Sequence, residues 1–243
     1  MKPTISVVTV TFNAATDLPR LFASLRGQTD RDFEFIVIDG DSKDDTKNII
    51  ASAHDIVTFT VSEADDGFFD ALNKAVARVK TDYYVVIGAD DEFFPDAIEN
   101  FRECAARTNA DMVVAGVRMG EKVVKRYRPK MRWRSPGAMF TSHSVGTLFK
   151  AHLHREFGKY TLRYPIFGDS LFMKQIAISR KTKVVLGDFV AGTFCIEGGF
   201  SNADFARSVC ELWLMQRQTG ENKILQFILF QLRILTHIRR VCR

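Results

Sequence analysis

Short apolar runs, too short for helices, recur along the first 115 residues: ISVVTVTF (5–12), FEFIVID (33–39), IVTFTVS (56–62), YYVVIGA (83–89) and DMVVAGV (111–117). Each is rich in β-branched and aromatic residues and reads as a strand. Between them the apolar positions switch to a helical period. Leu18, Leu21, Phe22 and Leu25 fall at i, i+3, i+4 and i+7, with Gly27 placed to end the helix. Ser42 and Asp45 make a capping-box start for a helix through Ile49 and Ile50. Phe69, Leu72, Ala75, Val76 and Val79 give the apolar face of a third. Strands apolar on both faces and separated by helices require a sheet covered on both sides. The expected class is therefore α/β, with a Rossmann-like, mostly parallel central sheet flanked by helices.

In such a sheet ligands bind beyond the carboxyl ends of the strands. The first strand runs into Thr11-Phe12-Asn13, the second into Asp39-Gly40-Asp41, the third into Glu63-Ala64-Asp65, and the fourth into Asp90-Asp91-Glu92. One rim thus collects polar and acidic residues from four strands. Carboxylates crowded at a sheet edge cost several kcal/mol unless something positive sits among them.

Charge divides the chain in the same sense. Residues 1–100 hold 9 Lys and Arg against 19 Asp and Glu, a net −10; residues 101–243 hold 25 against 10, a net +15. That asymmetry fits a cation in one half and an anionic partner at the other, or simply two differently solvated surfaces. The four cysteines are scattered, without a C-x-x-C pair, and read as reduced, mostly buried thiols. The start, MKPTISVVTVTFN, enters a strand directly and reads as no signal peptide.

After residue 115 the alternation breaks down. Eight Lys and Arg lie between Arg118 and Arg134 with one acid, Glu121, and suggest a basic hairpin or loop. VGTLFK and KVVLGDFVAGTFCI read as further strands, and two long helical patterns follow from Asp204 onward. The last of these has a longest uncharged stretch of nine residues, Ile224 to Leu232, far short of the roughly 20 that span a bilayer. It suits the membrane interface, a partner or the domain itself.

Taken in order, SVVTVTFNAATDLPRLFASLRGQT, FEFIVIDGDSKDDT, SEADDGFFDALNKAVA, YYVVIGADDEFFPDAI, SHSVGTLFK, FGDSLFMKQI and EGGFSN resemble the family 2 glycosyltransferases of GT-A fold, and a bacterial surface-polysaccharide subgroup among them. The likeness runs over roughly residues 4–202. It implies a GT-A domain over 1–202, with a nucleotide-sugar half (1–115) and an acceptor half (116–202), followed by a helical appendage (203–243). It also implies an inverting, metal-dependent transfer of sugar from a nucleotide-diphosphate-sugar to a hydroxyl of a saccharide or lipid-linked saccharide.

The same resemblance assigns roles. Asp90 and Asp91 match the acids that hold Mg²⁺ or Mn²⁺ against the diphosphate, although Gly88 stands where many members have the first acid. Asp91 also counts towards the nucleotide-sugar site. Thr11, Phe12 and Asn13 match the turn framing the base, and Asp39 the acid reading base or ribose, with Asp41 where Gly is usual. Asp65, Asp70 and Asn73 match donor-side positions. Asp169 aligns with the catalytic base, with N-capping of its helix as the structural alternative. His143, Gly199 and Ser201 match weaker acceptor or loop positions.

Rival readings remain at this stage. A sugar-nucleotide pyrophosphorylase would carry a Gly-rich basic loop where TFNAATDLPR stands. A non-catalytic nucleotide-sugar binder or membrane-surface adaptor would retain the fold without turnover. The basic run, with Tyr127 and Trp133 interleaved, suits lipid-linked pyrophosphate, acidic headgroups or plain solvent. No nucleic-acid partner is expected. The expected location is cytoplasmic, at or near the inner face of the membrane.

Overall fold

The computed structural model describes residues 2–141, 143–195 and 205–236. Strands β1 (Ile5–Thr11), β2 (Glu34–Asp39), β3 (Phe59–Ser62) and β4 (Tyr83–Val86) alternate with helices α1 (Leu18–Arg26), α2 (Thr46–Ser52) and α3 (Phe68–Val76). A two-residue strand, β5 (Glu92–Phe93), and α4 (Ala97–Thr108) complete this half. The remainder runs through β6 (Met112–Met119), β7 (Lys122–Val124), α5 (Pro136–Met139), β8 (Thr147–Lys150), α6 (Leu153–Phe157), α7 (Gly168–Ile178), β9 (Val184–Phe194), α8 (Phe205–Gln218) and α9 (Lys223–Thr236).

Among the described residues the strands join one nine-stranded sheet, in the order β3-β2-β1-β4-β8-β6-β9-β5, with β7 paired to β6. The first four are mutually parallel, as the sequence pattern predicts. The rest is mixed. β8 lies antiparallel to both β4 and β6, and β5 and β7 are antiparallel to their partners; only β6–β9 restores a parallel pair. The expectation of a mostly parallel sheet therefore fails in the second half. Apolar alternation gives the strand and its faces but carries no sign for its direction.

Side-chain alternation sorts the core into two layers. On one face Ile5, Val7, Phe35, Val37 and Val85 pack with Leu18, Leu21 and Phe22 of α1 and Ile98 and Phe101 of α4. On the other, Val8, Ile36, Ile38 and Tyr84 pack with Phe69 and Leu72 of α3 and Phe172 and Ile176 of α7. The start of the basic run forms a hairpin, β6–β7, turning at Gly120 with φ 56°, a left-handed conformation that suits glycine, and the rest, from Lys125 to Arg134, continues outside it. Of the described cysteines Cys104 is buried, Cys195 partly so and Cys210 exposed, fewer buried thiols than expected.

Helix α8 packs on the second half through Leu212 and Met215, which meet Tyr164 and Leu171 of the α7 region. Below them lies a fully buried ammonium: Lys174 Nζ meets Glu221 at 3.0 Å, the Gln216 side chain, and the Arg132 carbonyl at 3.1 Å.

Candidate active site

β1 ends at Thr11, which faces Asp39 of β2; Asp39 in turn faces Ser62 of β3. Asp39 is fully buried, and its carboxylate is satisfied by protein donors. It accepts from the Ser42 hydroxyl, from the Ser42 N–H at 3.0 Å and from the Ser62 hydroxyl at 2.5 Å. Ser42 Oγ also accepts the Asn13 N–H at 2.7 Å, and Asn13 Oδ1 accepts the Lys43 N–H at 2.8 Å. The expected capping box is therefore absent. Asp45 stands at the N-cap of α2, while Ser42 ties two rim loops together.

Asn13 (φ 50°) and Asp41 (φ 60°) adopt the left-handed conformation that Asn and Asp tolerate best after glycine. The Asp41 φ explains why Gly serves well at that position. Hydrogen bonds from Lys43 and Lys47 hold the Asp41 carboxyl at about 2. Phe12 stands between these loops, 63% exposed, and Thr11 Oγ1 is buried with no partner among the described residues.

Asp65 reaches over Gly40, where a Cβ would lie 2.5 Å from Asp65 Oδ2 and 3.5 Å from the Phe12 ring. The bare Gly40 backbone thus lets Asp65 and Phe12 converge. Asp65 Oδ1 accepts from Gly67 N–H at 2.9 Å, and Asp70 accepts from Asp66 N–H while pairing with Lys74, each at 3.2 Å. Asn73 is engaged elsewhere. Its Nδ2 donates to the Tyr160 carbonyl at 2.8 Å and its Oδ1 accepts the Tyr160 N–H at 2.9 Å, stitching α3 to the second half.

At the fourth strand end, a positive group does stand among the acids. Arg20, from α1, donates to the Asp90 carbonyl at 2.6 Å and pairs with Glu92 at 3.1 Å. The Asp90 side chain is left partly exposed, and desolvation, with Asp17 nearby, raises its pKa. Asp91 is buried, accepting from Gly88 N–H at 3.3 Å and Cys195 N–H at 2.9 Å. It braces the loop against the end of β9. It does not cap α4, whose N-cap is Asp96.

Asp169 lies in the first turn of α7, and Phe167 holds the N-cap position, so the capping alternative is not what the structure contains. Its Oδ1 accepts the Ser170 N–H at 2.6 Å, and desolvation lifts its carboxyl to about 6. Gly168 brings α7 onto α3: a Cβ there would meet the Phe69 ring at 2.7 Å. The backbone just before α7 is held from α8. Glu211 Oε2 accepts the Ile166 N–H at 2.9 Å and the Phe167 N–H at 3.2 Å.

His143 reaches the rim because β8 runs backwards, placing its amino end there. The ring stacks on Phe194 at 3.9 Å, and burial pushes its pKa down to about 4, so it is neutral. Gly199 and Ser201 lie outside the described residues. Sequence reading missed Arg20, Ser42, Ser62 and Glu211 as site-builders. Only Arg20 carried a signal, as a cation in the first turn of the helix that follows the first rim loop.

Among the described residues no three His, Cys, Asp or Glu side chains gather as a metal cage. One partly exposed carboxylate, Asp90, with Asp91 behind it, nevertheless fits a Mg²⁺-type ion, which takes one or two carboxylates when phosphates supply other ligands. Desolvation disfavours a bare charge on Asp90, and a cation beside it would offset that cost.

A family description, Glycosyl transferase family 2, matches residues 6–177, spanning all four rim loops and Asp169. The chain belongs to glycosyl transferase family 2. Its curated relatives include an uncharacterized glycosyltransferase of Mycobacterium tuberculosis, 29% identical over 183 residues, covering 72% of this chain and 70% of that protein. A PGL/p-HBAD biosynthesis glycosyltransferase of Mycobacterium bovis is 33% identical over 95 residues, 38% of this chain and 37% of that one.

Solved structures agree on the fold. S. aureus TarS 1-349 superposes with TM-score 0.69 at 15% identity, covering 97% of this chain and 73% of that one. The mannosyltransferase PcManGT from Pyrobaculum calidifontis, in complex with GDP-Man and Mn²⁺, gives 0.70 at 19% identity, with 98% and 71% covered. This family 2 glycosyltransferase therefore has the GT-A fold, a mixed sheet flanked by helices.

Proposed function

We propose that this glycosyltransferase works with inversion and with a divalent cation. It moves sugar from a nucleotide-diphosphate-sugar to a hydroxyl of a saccharide or lipid-linked saccharide, in surface polysaccharide or glycolipid assembly at the cytoplasmic side of the membrane. One observation carries the reading: a partly exposed acid with a raised pKa, Asp90, shares its fold with a second desolvated acid, Asp169, borne on a separate element. The two carboxylates suit different tasks. Nucleotide-sugar complexes of the fold neighbours support such a donor: TarS with UDP-GlcNAc, and PcManGT with GDP-Man and Mn²⁺.

In this mechanism Phe12 and the Ser42-braced loops frame the nucleotide, with Asp39 fixing their shape from below. Asp65 and Asp70 line the sugar side. Asp90, backed by Asp91, is the carboxylate that would hold the cation. Mg²⁺ or Mn²⁺ bound there would supply positive charge to offset that on the departing nucleoside diphosphate. Asp169 accepts the proton from the acceptor hydroxyl as that oxygen attacks the anomeric carbon from the opposite face. The neutral His143 ring is suited to a hydrogen bond with the acceptor rather than to an ion pair.

Two substitutions test the division of labour. Asp169→Asn should cut transfer by roughly 10²–10⁴-fold while leaving metal-dependent nucleotide binding intact. Asp90→Ala should weaken both. Transfer at the wild-type rate by Asp169→Asn, measured as nucleotide release with acceptor present, removes Asp169 from the role of base.

A further inference from the structure

Helix α9 turns a large share of its apolar side chains outward. Its one buried side chain is a glutamine, Gln226, whose Nε2 donates to the Trp133 carbonyl at 2.7 Å. Five of its apolar residues face outward, Ile224 (73% exposed), Phe227, Ile228, Leu232 and Leu235, all at least half exposed, while Leu229, Phe230 and Ile234 are partly buried, Phe230 against Trp213. The five exposed ones follow one another at i, i+3, i+4, i+8 and i+11, so they form a single stripe along the helix. An apolar stripe of this size on a surface marks something that covers it.

The neighbourhood says what that is. Helix α9 lies against the strap of residues 128–134, through Gln226 on the Trp133 carbonyl and Arg233 on the Arg134 carbonyl at 2.5 Å. The strap exposes Arg128, Lys130 and Arg134, with Met131 and Trp133 exposed between them. Apolar residues framed by cations, with a tryptophan at the boundary, match the layers of an anionic lipid surface: acyl chains, glycerol zone, phosphates. A second copy of the chain would bring the same cations face to face. The 14-residue helix is about 21 Å long, and no described helix is long and apolar enough to cross a membrane, so it lies flat.

We propose that the outer stripe of α9 and the adjoining strap 128–134 form one docking surface for an anionic lipid bilayer. This deepens the membrane-side location within the proposed function and rests on it, but it is read without sugar transfer. Failure of docking therefore leaves the assignment of Asp90 and Asp169 untouched, and failure of transfer leaves docking measurable.

The experiment is co-sedimentation of the full chain with vesicles of phosphatidylglycerol and phosphatidylcholine in equal parts, against phosphatidylcholine alone. The wild type is expected to bind the anionic vesicles, and less as salt rises. Phe227→Ser with Leu232→Ser should lower the partition at least tenfold. Arg128→Gln with Lys130→Gln should lower it roughly fivefold for each cation removed. Tryptophan emission, from Trp133 and Trp213 together, should shift to the blue on the same vesicles, a readout in the unaltered chain. The proposal is overturned by no binding to any vesicle, or by equal binding to neutral vesicles that ignores the charge substitutions. It is equally overturned by a lipid-free dimer that the serine pair converts to monomer.

Discussion

In the proposed mechanism the acceptor hydroxyl gives up its proton only to an ionised group, and the role of base falls to Asp169. Desolvation raises its carboxyl to about 6, against an ordinary value near 4, because burial disfavours the charged form. A base must be deprotonated, so kcat/KM should be flat above neutrality and fall roughly tenfold per pH unit below about 6. A pH–rate profile flat down to 4.5 would contradict this. The acids of the rim were legible in sequence because each sits directly after an apolar strand. Their partners were not. Arg20 reaches Asp90 from 70 residues away, and Ser42 and Ser62 close on Asp39 only once β2 and β3 are paired. The spacing of residues fixes which element carries a group, whereas the group it meets depends on how elements pack.

At the scale of elements, the start of α7 matters most, because it carries Asp169. Three contacts set it: Gly168 on the Phe69 ring, Asn73 on the Tyr160 backbone, and Glu211 on the Ile166 and Phe167 N–H groups. Glu211 comes from α8, outside the residues 6–177 matched by the family. Glu211→Ala strips two backbone donors of their acceptor, which should cost about 1–3 kcal/mol in stability and lower kcat with the donor KM little changed. Glu211→Gln keeps an acceptor oxygen and should restore most of both, measured by denaturant unfolding and steady-state kinetics. Equal loss in the two variants would show that the charge, rather than the hydrogen bonds, is what counts. The helices with clear 3.6-residue periods were readable in the chain; α8 as a clamp on α7 was not, since Glu211 looks like any surface acid until its neighbours are in place.

In the whole molecule, the acidic and basic halves meet through β4, β8 and β6, and α8 and α9 join the basic half through buried polar contacts. Lys174 is the centre of these, its ammonium desolvated and held by Glu221 and Gln216. Removing one partner of a buried pair typically costs 3–5 kcal/mol, whereas replacing both with apolar residues is often neutral. Glu221→Ala should therefore lower Tm by about 10 °C, and Lys174→Met with Glu221→Leu should recover most of it in calorimetry. A Tm for Glu221→Ala within 1 °C of the wild type would show that the pair contributes little. The charge asymmetry seen in the sequence survives as an acidic rim and a basic strap, while strand direction, set by connection geometry, had to be seen. That reversal at β8 has a mechanical outcome. Ladder pairing runs from β3 through β4 and β8 to β9, so under the proposed function a single sheet, rather than two, underlies both the donor and the acceptor side. Closing the two halves on each other would break the β4–β8 pairing, so the proposed function assigns adjustment to the loops at the sheet's edge.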